Sequence, residues 1–178
     1  MADSPNPARV IEHELESIYH LYSALARDID PKSGLGGKLL FAGEPDEAAT
    51  HLLRAANIAG AASLAASADA PTLLRVMREG ALDFVVTSLD EALRILKNEI
   101  RKKQPVAVGV SLAPAVIAQE MLDRGLQPDL LAPQLPATPH REAFLNRGAL
   151  LVEPHPLPPG VAFTLLPVPP GGQQAIAI

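Results

Sequence analysis

Apolar residues recur at helical intervals at the start of the chain and at strand-like intervals after Pro31. From about Ala8 to Asp28, Ile11, Leu15, Ile18, Tyr22 and Leu25 follow at spacings of 4, 3, 4 and 3, one stripe along a helix. The stripe has two possible partners, the chain's own core or a second subunit. Roughly two to three heptads are short for a coiled coil, which favours the core. From Lys38 to Ala42 the pattern becomes a short apolar strand ending at Gly43. A helix follows from about Pro45 to Ile58, with Pro45 at its first position and Asp46 and Glu47 at its positive end.

The same unit then repeats. Ser63–Ser67 reads as a weak strand, and Pro71–Glu79 as a helix closed by Gly80. Asp83–Val86 is a third strand, and Ser88 with Glu91 forms a capping box opening a helix to about Lys103. Lys97, Arg101, Lys102 and Lys103 at that helix's negative end read as dipole partners. Val106–Val110 is the clearest strand, Ala113–Arg124 a helix stopped by Gly125, and Asp129–Leu131 another short strand. Short apolar strands alternating with helices predict an α/β fold: a Rossmann-like, doubly wound, mainly parallel sheet with helices on both faces.

After about residue 132 proline dominates. A short helix fits Arg141–Leu145, and Ala149–Val152 and Val161–Leu166 read as strands at a sheet edge. The apolar, uncharged tail Gln173–Ile178 is expected to dock on this sheet or on a neighbour's. The chain thus divides into an N-terminal amphipathic helix over 1–30 that packs on the domain, the α/β domain over 31–148, and a proline-rich extension over 149–178.

Composition narrows the chemistry. With 178 residues, no cysteine and a net charge of −5, the chain offers no disulfide, thiol nucleophile or basic footprint for nucleic acid. The polar start carries no signal peptide, and seven prolines keep Pro154–Ile178 from being a spanning helix. A cytoplasmic protein without membrane contact is expected. His13, His20, His51, His140 and His155 have no metal-ligand spacing, and no nucleophile elbow is visible, so neither a metal site nor a catalytic residue is expected. Gly34–Lys38 imitates part of a phosphate loop, but Leu39 stands where Ser or Thr is required, and the run precedes its strand; it reads as a turn.

Ligands of open parallel sheets bind beyond the carboxyl ends of the strands. The residues there that suit a small ligand are Gly43, Thr87, Ser88, Ser111 and Gln134. A dinucleotide would need glycines after the first strand. Instead the chain has Glu44, Pro45, Asp46 and Glu47: one amide donor is missing and three carboxylates crowd the phosphate position. The second strand ends in Ala66, Ser67 and Ala68 without an acid for a ribose, and Asp69 reads as a helix cap. If the crevice is filled instead, Pro45 and Leu112 are the side chains expected to fill it.

Several segments together resemble the central NAD-binding, Rossmann-like domain of urocanate hydratase (urocanase). They are Ile18-Tyr-His-Leu-Tyr-Ser-Ala-Leu-Ala-Arg27, Gly37-Lys-Leu-Leu-Phe-Ala-Gly43, Thr87-Ser-Leu-Asp-Glu-Ala-Leu93, Val108-Gly-Val110 and Arg124-Gly-Leu-Gln-Pro-Asp-Leu-Leu131, with Gln134 beyond. The resemblance spans roughly residues 18–146 and needs no gap between Gly43 and Gln134. It implies a Rossmann-like fold, and in the family NAD acts as an electrophile in the hydration of urocanate, with a flanking core domain completing the site. The departures fall where NAD would be touched. The glycine-rich loop is replaced by Glu44–His51, the family's acids by Ala66 and Ala68, and its Gly-Asn by Leu112 and Ala113. Its Thr-Asp-Gln-Thr-Ser-Ala-His segment reads Ala132-Pro-Gln-Leu-Pro-Ala-Thr138.

The expectation is a stand-alone, non-catalytic urocanase-like domain without an NAD site. It would be a pseudoenzyme acting as a scaffold, oligomerisation or partner-binding module through its N-terminal helix or C-terminal tail. Two alternatives stay open. One is an enzyme or sensor holding a less anionic small ligand in the strand-end crevice. The other is a subunit of a split urocanate hydratase, a lyase, whose partner supplies the missing contacts.

Overall fold

A computed structural model describes residues 7–27, 32 and 34–154. The strand readings over Val161–Leu166 and Gln173–Ile178, and His155, lie outside them. In chain order the elements are α1 (Pro7–Ala26), β1 (Leu39–Gly43), α2 (Glu47–Ile58), β2 (Ala62–Ala66), α3 (Ala70–Arg78) and β3 (Phe84–Val86). Then come α4 (Leu89–Lys102), β4 (Val106–Val110), α5 (Pro114–Asp123), β5 (Leu130–Leu131), α6 (Pro139–Asn146) and β6 (Leu150–Leu151). All five pairings are parallel, in the order β3-β4-β2-β1-β5-β6. The fold is the Rossmann-like α/β sheet that the alternating pattern predicts, and β6 is an edge strand.

Every residue of β1, β2 and β4 is buried. Right-handed crossovers place α2 and α3 on one face and α4, α5 and α6 on the other. The first face is built from small residues. Ala42, Ala65 and Ala107 meet Leu53 of α2 and Leu73 and Val76 of α3. Gly109 belongs to this face, where an added Cβ would lie 2.9 Å from Leu82 Cδ1 and 3.0 Å from Leu73 Cδ2. On the other face Phe41, Leu64 and Val108 meet Leu89 and Leu96 of α4, Ile117 and Met121 of α5 and Phe144 of α6. Phe41 and Phe144 pack edge to face with ring centroids 6.2 Å apart.

The helix ends follow local chemistry, with one correction to the sequence reading. Pro45 is not the first residue of α2: Asp46 is the N-cap, its Oδ1 accepting from Ala49 N at 2.8 Å, and Pro45 is buried ahead of it. The capping box at Ser88 forms as read. Ser88 Oγ accepts from Glu91 N, and the Glu91 carboxylate reaches back to Thr87 N at 3.0 Å and toward the Ser88 amide; these hydrogen bonds, Thr87 foremost, hold its pKa below the ordinary value. Gly80 and Gly125 follow α3 and α5 with positive φ, as stop signals do. The Gly34 turn is a joint, not a phosphate loop: Leu35 N donates to Ala59 O at 2.7 Å, and a Cβ on Gly34 would meet that oxygen.

Two aspartates align the amino ends of the strands. Asp129 accepts from Leu39 N and from Lys38 Nζ, both at 2.9 Å, tying β5 to β1. Asp83 accepts from Ala107 N at 2.8 Å and ties β3 to β4. On the outer side α1 packs on α2 through buried Leu21 and Leu25, and Glu14 pairs with Arg54. Its stripe is divided: Leu25 is buried and Ile18 half-buried, whereas Ile11, Leu15 and Tyr22 remain exposed. No helix among the described residues is long and apolar enough to cross a membrane.

Two substitutions test this packing by denaturant unfolding. Gly109→Ala should destabilise by about 1–3 kcal/mol, because Leu73 and Leu82 must give way. Ser63, whose buried hydroxyl has no partner, should tolerate Ser63→Ala with no loss of stability. A stable Gly109→Ala protein would mean that α3 can lift from the sheet.

Candidate functional site

The chain leaves β1 in one direction, toward β2, and reaches β5 on the opposite side of β1. The carboxyl ends of β1 and β5 therefore flank the point where the winding reverses, the place where open sheets hold ligands. Gly43 ends β1, and Gln134 lies in the segment after β5, so these two of the five candidate residues come together. Ser111 follows β4, separated from β1 by β2. Thr87 and Ser88 follow β3, which both β4 and β2 separate from β1. With strands about 4.8 Å apart, that places them about 14 Å away, outside the same crevice. They are occupied in starting α4, and Ser111 N donates to Val86 O at 2.9 Å.

The end of β1 is crowded. Gly43 has φ 71°, and a Cβ there would overlap Leu135 Cδ2, so the Leu135 side chain lies directly on this glycine. The Ser67 hydroxyl donates to the Glu44 carboxylate and accepts from Asp69 N at 3.0 Å, linking the ends of β1 and β2. Asp69 is the residue before α3, but its carboxylate takes the Thr72 hydroxyl at 2.6 Å instead of capping the helix backbone. The carbonyl of Asp46 accepts from both Thr50 N and Thr50 Oγ1. Of the two side chains expected to fill the crevice, Pro45 is buried and Leu112 packs half-buried against the core. Leu135, which the sequence reading did not single out, is the one seated on Gly43. Gln134 Nε2 is buried without a partner.

Beside this crowded end lies a cavity of about 280 Å³ between α5, α6 and the end of β1, lined by Phe41, Ala118, Leu135 and Phe144, with Thr138 and Arg141. Thr138 caps α6, accepting from Arg141 N at 3.3 Å, and Arg141 Nη1 donates to Leu135 O at 2.8 Å. Thr138-Pro139 is legible as a helix start, but the cavity depends on how α5 and α6 meet, for which the chain carries no local signal.

The histidines are dispersed. His140 Nε2 lies 3.0 Å from Gln119 Oε1, and His20 lies 3.8 Å from Glu16. His51 is buried on α2; burial lowers its pKa, partly opposed by Glu47 and reinforced by His13. Among the described residues no group of His, Asp and Glu could hold a metal ion.

Residues 21–150 match the family model of the urocanase Rossmann-like domain.

The depressed His51 pKa fixes a direction of pH dependence. The folded state favours neutral His51, so its contribution is complete above the unfolded value of about 6.5 and is lost as pH falls through the lower folded value. Thermal midpoints measured across that window should fall on acidification, and His51→Gln should flatten the decline. Separately, Asp46→Ala should cost about 1 kcal/mol in a denaturant titration by removing the α2 cap.

Proposed function

The chain belongs to the urocanase family through its Rossmann-like domain, and from that premise we propose that it keeps the scaffold without the dinucleotide site and acts as a non-catalytic oligomerisation or partner-binding module. The observation that carries this reading is Leu135 seated on Gly43. A dinucleotide requires bare backbone at that glycine, free amide donors at the following helix and positive potential around them. Here the glycine is covered, Pro45 has no N–H, and Asp46 already takes the Ala49 amide. Glu44, with Asp46 and Glu47 close in sequence, adds negative charge where a pyrophosphate would add more. Residues of this kind do not suit NAD. The positions shared with the family serve packing instead: Asp129 aligns β1 with β5, and Arg124 pairs with Asp90 and Glu120 to join α5 to α4.

The partner surface in this reading is the outer side of α1. Ile11, Leu15 and Tyr22 are 48%, 40% and 36% exposed on a helix that packs through Leu21 and Leu25. Exposed apolar side chains along one helix stripe suit protein contact.

Titration calorimetry with NAD at low salt tests the loss of the site. No heat with millimolar NAD is expected, and urocanate mixed with NAD and the protein should remain unchanged. Micromolar binding would overturn the reading. Sedimentation tests the module role: an assembly that Leu15→Glu dissociates is expected, and a monomeric wild-type chain would remove the oligomerisation arm.

A further inference from the structure

We propose that the cavity between α5 and α6 is a binding site for a small carboxylic acid with a compact apolar body, whether or not the end of β1 accepts a nucleotide. Its volume of about 280 Å³ is at the lower end of ligand pockets, which suits one ring or a branched alkyl group and excludes a nucleotide. Phe41, Leu135 and Phe144 supply apolar walls, and Ala115 and Ala118 leave room on the α5 side. The cavity also borders the reversal of the sheet winding, where binding sites of this architecture form.

The sign of the head group follows from what surrounds the cavity. Arg141 lines it and makes no ion pair with a carboxylate among the described residues. One guanidinium N–H is used on Leu135 O, while Nε is buried with no acceptor. Buried donors are rarely left so, and a guanidinium matches a carboxylate in two-point geometry. The amino end of α5 opens on the same space; its N-cap, Ala113, has no capping side chain, Pro114 at its first position brings no N–H, and Val116 N is turned to Ala113 O, so this end contributes its dipole more than free donors. Its positive potential adds to that of Arg141. Among the described residues no Asp or Glu lines the cavity, and His140 stands beside Arg141 at its rim. An apolar body satisfies the walls, and a single carboxylate satisfies Arg141 and the amino end of α5.

The probe is 4-tert-butylbenzoate, with its neutral amide as control, titrated into the full chain by calorimetry and protein-observed NMR. The acid should bind and perturb α5 and α6 resonances, with the amide at least about tenfold weaker. Arg141→Met should bring the acid down to the level of the amide, and Arg141→Lys should restore part of the difference. Ala115 lines the cavity and is exposed, outside the buried core. Ala115→Phe should therefore abolish binding of both probes with the melting temperature unchanged, which keeps the test valid should Arg141→Met fail to fold. Failure of both probes to bind at millimolar concentration would overturn the proposal. So would equal binding of acid and amide, or binding that survives Ala115→Phe. The NAD titration is independent of each outcome.

Discussion

Burial of the sheet on both faces is the constraint on which the rest of the structure depends. β1, β2 and β4 have no solvent-facing side, so each residue must be apolar or small enough to lie under a helix. The two faces meet this demand differently. Alanines and Gly109 lie under α2 and α3, whereas Phe41, Leu64 and Val108 lie under α4, α5 and α6.

The ends of the sheet divide its remaining work. At the amino edge Asp83 and Asp129 set register by accepting backbone amides from neighbouring strands. At the carboxyl edge the segment after β5 closes on the end of β1 through Leu135 on Gly43, and the Ser67–Glu44 link ties the end of β2 to the loop after β1. A leucine side chain and a bound phosphate cannot share one position, and that exclusion is what the proposed loss of the nucleotide site rests on. Between α5 and α6 an apolar cavity meets Arg141, which has no carboxylate partner among the described residues.

Membership in the urocanase family and a changed strand-end chemistry are compatible because fold and site are carried by different residues. Strand cores, the Ser88 cap, Gly125 and Asp129 keep the architecture. The loop residues Glu44–Glu47 and Leu135 determine what can approach it.

Much of this was legible in the chain because its cause is local. Alternation with helical crossovers specifies a parallel sheet, and Val106–Val110 needs no partner to be recognised as a buried strand. Ser88, Gly80 and Gly125 mark helix ends by their own conformational preferences, although Pro45 lies two positions ahead of the first residue of α2. The charge and proline of the loop after β1 are equally plain in the sequence. What only the tertiary structure decided is which strand ends are neighbours. The order β3-β4-β2-β1-β5-β6 moves Thr87 and Ser88 away from Gly43 and brings Gln134 and Leu135 onto it. It divides the α1 stripe into a buried and an exposed part, and it opens the cavity beside Arg141. These features depend on residues about a hundred positions apart meeting across packed layers, and no local preference encodes which of them will meet.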